Sequence, residues 1–305
     1  MSSLPFWSVI LPTYQRERVL CDTIEYLLSF SYPNYELLVI DQTPRHEAET
    51  EQFLRACEDK VPQNFRRHFI EKANLPHARN VGAQLARGEY LLYCDDDIIP
   101  PANLIELHLE CLQQPGVGAA TGGVYVEHKK RPPQPRPCVI RPDGRMLDYW
   151  EYDVPKGTTD SLRGANMSMS RKIAIELGPF DEGYIGRANG EETDFSLRIL
   201  RCGYRIAYDP AAAIVHLGHP EGGSRATKAI SVGHYYFESH HNNAYFFAKN
   251  FQQRYLPWFL KRELGWILIR QAILQWRPEL TIPSLRGLWH GYRAGLRRKI
   301  ESGSR

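Results

Sequence analysis

Along the first 125 positions the apolar residues change period repeatedly, and each change marks an element. Ser8–Leu11 is a short β-rich run that stops at Pro12. Beyond it Val19, Leu20, Ile24, Leu27 and Leu28 recur at helical spacing, and Pro33 closes that helix. Glu36–Ile40 predicts a second buried strand ending at Asp41, followed by a polar helix over about Glu47–Glu58. Arg67–Glu71 reads as a weaker strand and His77–Ala86 as a helix with Gly88 behind it as a stop. Glu89–Cys94 is a third apolar strand, running straight into Asp95, Asp96 and Asp97. Pro101 opens a helix through about Gln113, since a proline in the first turn forfeits no hydrogen bond there. Short strands alternating with helices predict an α/β fold with a mostly parallel, doubly wound central sheet and flanking helices. Ligands of such sheets sit beyond the carboxyl ends of the strands. Pro12, Thr13, Tyr14, Asp41 and the three aspartates all follow strand ends, so one sheet edge is the expected site.

The second half is less regular. Arg131–Pro137 carries four prolines and predicts an exposed loop. Met167–Ser170 is strand-like and leads into a helix ending near Gly178; Thr193–Arg201 is amphipathic with Gly203 as its stop. Ala213–Val215 is a short strand ending at His216. From about Tyr235 the chain becomes aromatic, and Trp258–Trp276 reads as helix. The expected organisation is a domain over 1–235, with halves at about 1–125 and 126–235, and a helical, basic, aromatic-rich extension over 236–305.

Composition narrows the classes. A chain of 305 residues, 43% hydrophobic, buries an adequate core without disulfides or structural metal. Its six cysteines form no CxxC pair, which excludes a zinc ribbon and suits a reducing compartment. The N-terminus lacks a basic region, and no run approaches the roughly 18 apolar residues of a membrane span, so the expectation is a cytoplasmic protein. Net charge is +3, yet the residues from Gln253 onward carry +8 and the remainder −5. The body is thus a poor nucleic-acid binder, while the tail invites an anionic partner. A basic, Trp-bearing helix can lie peripherally on the inner face of a membrane; packing against the core or a dimer face is the alternative.

The aspartate run is the sharpest chemical feature. Adjacent carboxylates repel unless a cation compensates, and oxygen ligands directly after a buried strand suit Mn²⁺ or Mg²⁺; a solvated turn would also account for three aspartates. Glu191, Glu192 and Asp194 form a second acidic cluster at a helix start, with Arg198 spaced to pair with Asp194. His240 and His241 suit packing, Trp150 suits a buried aromatic or a sugar platform, and Cys94 and Cys202 suit apolar filling.

The ordered blocks SVILPTYQR, ELLVIDQT, LPHARNVGAQLARGEYLLYCDDDIIP, GANMSMSRKIAIELGPFDEGY and GEETDFSLRILRCGYRIAYDPAAAIVH resemble the family 2 glycosyltransferases of GT-A fold. The resemblance spans about Ser8 to His216. It implies a nucleotide site lined by Pro12, Thr13 and Tyr14, base recognition by Asp41, and nucleotide or diphosphate contact by Arg79. Asp95 would face the ribose beside Asp96, and Asp97, Asp95 and His216 would hold the metal. Asn166 and Glu191 would lie towards the acceptor or sugar. The base position carries Glu-Glu where many members have Glu-Asp, which implicates Glu192 and leaves Glu191 and Asp194 as its neighbours in contention. The implied reaction is inverting, metal-dependent transfer from a nucleotide-diphospho-sugar, UDP-linked by resemblance, to a hydroxyl of a glycan or lipid-linked acceptor. A non-catalytic nucleotide-sugar-binding or assembly protein is the competing class. A nucleotidyltransferase would want a Gly-rich loop after the first strand, and Leu11–Val19 has no glycine.

Overall fold

The computed structural model describes residues 4–126, 137–147, 154–223 and 231–303. Trp150 and nearly all of the proline-rich segment lie outside them. In chain order the first half contains β1 (Trp7–Thr13), α1 (Arg18–Leu28), β2 (Tyr35–Asp41), α2 (Ala48–Lys60), β3 (Phe65–Phe69), α3 (Leu75–Leu85), β4 (Tyr90–Cys94), β5 (Ile98–Ile99), α4 (Leu104–Leu112) and β6 (Val117–Val126). After a small hairpin of β7 (Val139–Ile140) and β8 (Met146–Leu147) come β9 (Gly157–Thr159), β10 (Asn166–Ser170), α5 (Arg171–Leu177), α6 (Glu191–Arg201) and β11 (Arg205–His216). Three longer helical stretches close the chain: α7 (Val232–Asn250), α8 (Leu256–Leu264), which continues as a π-helix over Gly265–Leu274, and α9 (Thr281–Gly303).

The main sheet runs β3-β2-β1-β4-β10-β6-β11-β5, with β9 added alongside β11. Strands β1 to β4 are mutually parallel, and the β1–β2 register sets Thr13 beside Asp41. Strand β10 is antiparallel to both β4 and β6, and β11 is parallel to β6. It follows that β6 and β11 run in the same direction as β4. Strands β1, β2 and β4 read as apolar runs because both faces are covered, whereas β3 at the sheet edge is FRRHF with only Phe65 buried. Val9, Leu11, Leu37 and Val39 enter one apolar layer, and the alternate Ile10, Leu38 and Ile40 enter the other. This is the mixed α/β sheet with flanking helices and C-terminal helices that the pattern predicts.

Strand β6 escapes the pattern, and the close docking of α9 is not written in it either. Strand β6 is VGAATGGVYV, and small residues give it little strand signal. Their reason lies across the sheet: a Cβ on Gly122 would stand 1.9 Å from the Ala212 carbonyl oxygen. Helix α9 carries Gly287, Gly291 and Gly295 at every fourth position. A Cβ on these would meet the carbonyl oxygens of Phe237, His241 and Tyr245 at 2.2, 2.0 and 2.5 Å. Helix α9 therefore lies backbone against backbone on α7. Tyr184, Tyr245, Phe247, Phe259, Ile267 and Leu288 fill a third apolar cluster beneath these helices. His240 and His241 are buried there, His240 paired with Glu263 at 3.0 Å. Cys94 is buried, but Cys202 is exposed: it caps the end of α6, where the chain has already turned towards solvent.

Candidate active site

Because β1, β2, β4 and β11 share one direction, Thr13, Asp41, Asp95 and His216 arrive at one edge of the sheet. A cavity of about 310 Å³ opens there. Pro12, Thr13, Tyr14, Asp95, Asp96, Asp97 and His216 line it, together with Arg16, Gln42, Asn74 and Glu238.

The three aspartates do different things. Asp96 turns inward: the Thr13 hydroxyl donates to it at 2.7 Å and Arg16 Nε at 3.3 Å. Burial pushes its carboxyl up to about 7, reinforced by its acidic neighbours and opposed by Arg16 and Thr13. Asp97 is buried and accepts the His219 backbone N–H at 2.9 Å and Arg16 Nη2 at 3.3 Å. Asp95 is half-buried. His216 Nε2 sits 3.2 Å from Asp97 Oδ1 and 3.5 Å from Asp95 Oδ2. Burial disfavours a charged His216 ring, yet the two carboxylates outweigh it and push the imidazole up to about 10. Asp97 moves the other way, since the burial that would raise its carboxyl is overcome by His216 and Arg16. The edge is built to hold a positive charge between Asp95 and Asp97.

That donor set fits a hard dication. Asp95, Asp97 and His216 each offer one ligand atom within 4.8 Å of the others. Bonds of ~2.1 Å put neighbouring ligands of an octahedral ion ~3 Å apart, close to the separations here. His219 contributes its backbone rather than its ring.

The remaining residues lie around this edge rather than in the cavity wall. Arg79 of α3 is buried, donates to the Gly164 carbonyl at 3.1 Å, lies 3.7 Å from Asp95 and is ion-paired with Glu191. Glu191 is itself buried, so the Arg79–Glu191 pair ties the first turn of α6 to the aspartates. Glu192 follows on that turn, 9% exposed. Asp194 does lie 3.8 Å from Arg198, but Lys249 at 2.8 Å and Asn250 at 2.7 Å from α7 are its closer partners. Asp41 accepts the Thr43 N–H at 2.9 Å and faces His46 at 3.0 Å. Asn166 is fully buried, and its amide is committed to the Ala212 carbonyl at 2.7 Å and to His108 at 2.9 Å.

Arg16, Gln42, Asn74 and Glu238 were not anticipated, and the two charged ones bear most on the site. Arg16 stands three residues past the β1 end, inside the PTYQR block, and a cation facing three carboxylates was its only signal. Glu238 comes from α7, far along the chain. Its Oε1 meets His234 at 3.2 Å, while Oε2 is buried with no hydrogen-bond partner among the described residues. Burial pushes this carboxyl up.

Residues 8–176 match the model of glycosyl transferase family 2, and the chain belongs to that family. The putative colanic acid biosynthesis glycosyl transferase WcaA of Escherichia coli K12 is 22% identical over 295 residues, covering 94% of this chain and 96% of that protein. Glycosyltransferase GlyG of Streptococcus pneumoniae serotype 4 is 27% identical over 121 residues, covering 39% of this chain and 38% of its own length. Among solved structures, GalNAc-T7 with UDP, GalNAc and Mn²⁺ superposes with TM-score 0.62 at 16% identity, over 91% of this chain and 59% of that one. The mannosyltransferase PcManGT of Pyrobaculum calidifontis, in complex with GDP-Man and Mn²⁺, gives 0.56 at 17% identity, over 99% and 80%. The fold is thus the GT-A fold of sugar-transferring enzymes.

Proposed function

We propose that this protein is an inverting glycosyltransferase that moves a sugar from a nucleotide-diphospho-sugar, UDP-linked in this reading, to a hydroxyl of a glycan or lipid-linked acceptor. The observation that carries it is the Asp95–Asp97–His216 set at the mouth of a nucleotide-sized cavity on the carboxyl edge of the sheet. Asp95, Asp97 and the neutral form of His216 would hold Mn²⁺ or Mg²⁺, which when bound neutralises charge on a departing diphosphate. Thr13 and Tyr14 would line the nucleotide. Arg79 holds Asp95 and Glu191 in place from behind. Glu192 is the proposed base: the acceptor oxygen bonds to the anomeric carbon, the carbon–oxygen bond to the diphosphate breaks, and the hydroxyl proton passes to the Glu192 carboxylate. One displacement inverts the anomeric centre, with no second nucleophile required. The Arg79–Glu191 pair supports this assignment, because it ties the first turn of α6, on which Glu192 follows, to Asp95 through Arg79.

Calorimetry with UDP and with GDP, with and without Mn²⁺, tests the reading. Asp97→Ala should abolish the metal-dependent part of nucleotide affinity while the thermal melt stays cooperative. Metal-dependent affinity unchanged in that variant would defeat the assignment, and preference for GDP would correct the donor.

A further inference from the structure

The exposed apolar surface of this protein is concentrated at one end. Of the eighteen large hydrophobic side chains exposed among the described residues, ten lie between Trp258 and Ile300. The densest run is the outer side of α8 and its π-helical continuation. There Phe259, Glu263, Ile267 and Gln271, one every fourth residue, face the protein and are buried. The side turned away presents Trp258, Trp266, Ile269, Ile273, Leu274 and, just beyond, Trp276, which is 86% exposed. Soluble surfaces rarely leave such residues contiguous without an occupant.

Charge says what the occupant is. From Arg254 to Arg277 the only acidic residue is Glu263, which is buried and held by His240 and Arg262. Lys261 and Arg270 therefore flank the apolar side with no outward carboxylate between them, while Arg262 is paired with Glu263 and Arg277 with Glu279. Arg270 lies over the Trp266 ring at 4.3 Å, so its charge is carried at the level of the indole. Tryptophan and aliphatic side chains beside Lys261 and Arg270 match a layer that is apolar within and anionic at its rim. No helix among the described residues is long and apolar enough to cross a membrane. We propose that the outer side of residues 258–276 docks in the plane of an anionic lipid bilayer surface, with the indoles at headgroup depth and the basic residues over anionic headgroups.

The experiment is flotation with phosphatidylcholine vesicles, with and without a quarter phosphatidylglycerol, and it requires no turnover. The wild-type protein should float with the anionic vesicles and much less with the neutral ones. Ile269→Asp with Ile273→Asp, both at exposed positions, should abolish flotation. Lys261→Glu with Arg270→Glu should weaken it by about tenfold or more, each basic residue near such a surface contributing several-fold in binding. Brominated lipids should quench the wild-type tryptophan fluorescence, a readout that does not depend on how the variants fold. Equal flotation of wild type and both variants, or no quenching, overturns the proposal. So does a wild-type protein that ignores vesicles and instead self-associates until the aspartate pair disperses it, which would assign the surface to a second copy of the chain.

Discussion

At the scale of single residues, Glu191 and Glu192 separate a pairing role from the proposed role of base. Glu191 is buried against Arg79, and removing one member of such a pair strands a charge in the interior, at a cost of about 3–5 kcal/mol. Glu191→Gln should therefore lower stability by that order, read as a shift in the urea midpoint. Glu192→Gln preserves size and hydrogen bonding but removes the proposed proton acceptor. Stability and nucleotide affinity should hold while single-turnover transfer at saturating donor falls by about 10²–10⁴-fold. If Glu192→Gln transfers at the wild-type rate while Glu191→Gln or Asp194→Asn is folded and dead, the base is one of its neighbours. Asp194→Asn should chiefly loosen α7, since Lys249 and Asn250 are its closest partners.

At the scale of elements, the glycine row on α9 decides how the C-terminal helices close. Gly291→Val would drive a branched side chain into the His241 carbonyl, where even a Cβ stands 2.0 Å away. Overpacking of this kind costs about 1–3 kcal/mol. The helix should separate from α7, visible as a lowered midpoint and new protease cleavage between α8 and α9. That this stretch is helical was legible in the sequence, but its close docking on α7 and strand β6 were not: glycine weakens local propensity where another backbone must come close, and the partner is remote in the chain. Strand β11 was legible only at Ala213–Val215, because its pairing with β6 shifts register between Asp209 and Ile214. Strands β1, β2 and β4 were legible because burial on both faces writes an unbroken apolar run. Asp95 and Asp97 followed from their place directly after a buried strand, and His216 from the family resemblance. Arg16 and Glu238 did not, because their positions depend on how the 219–223 turn and α7 fold back.

At the scale of the whole molecule, acid stability has a predictable shape. Burial holds His108 and His241 neutral, each down to about 4, His241 also beside His290. An unfolded chain protonates histidine near pH 6.5. Between about pH 6.5 and 4 the unfolded state thus binds more protons, and stability falls as pH falls. His216, pushed up to about 10, acts in the opposite sense: its contribution is complete below pH 6.5 and is lost as pH rises towards 10. Urea midpoints should decline from pH 6.5 to 4.5, and His108→Gln should show a shallower decline. A flat profile through this window would mean that the two rings are hydrated in the native state.

The wall formed by Glu238 also bears on time. Thr13 and the three aspartates are made well before α7, which begins at Val232. At ribosomal rates of about 5–20 residues per second, the ~140 residues between Asp97 and Glu238 take on the order of ten to thirty seconds to appear. Through that interval a nascent chain can own its aspartate edge without owning its cavity. A ligand that needs the Glu238 wall can help complete the fold only once this helix has been made, so earlier folding relies on the strands and helices that precede it.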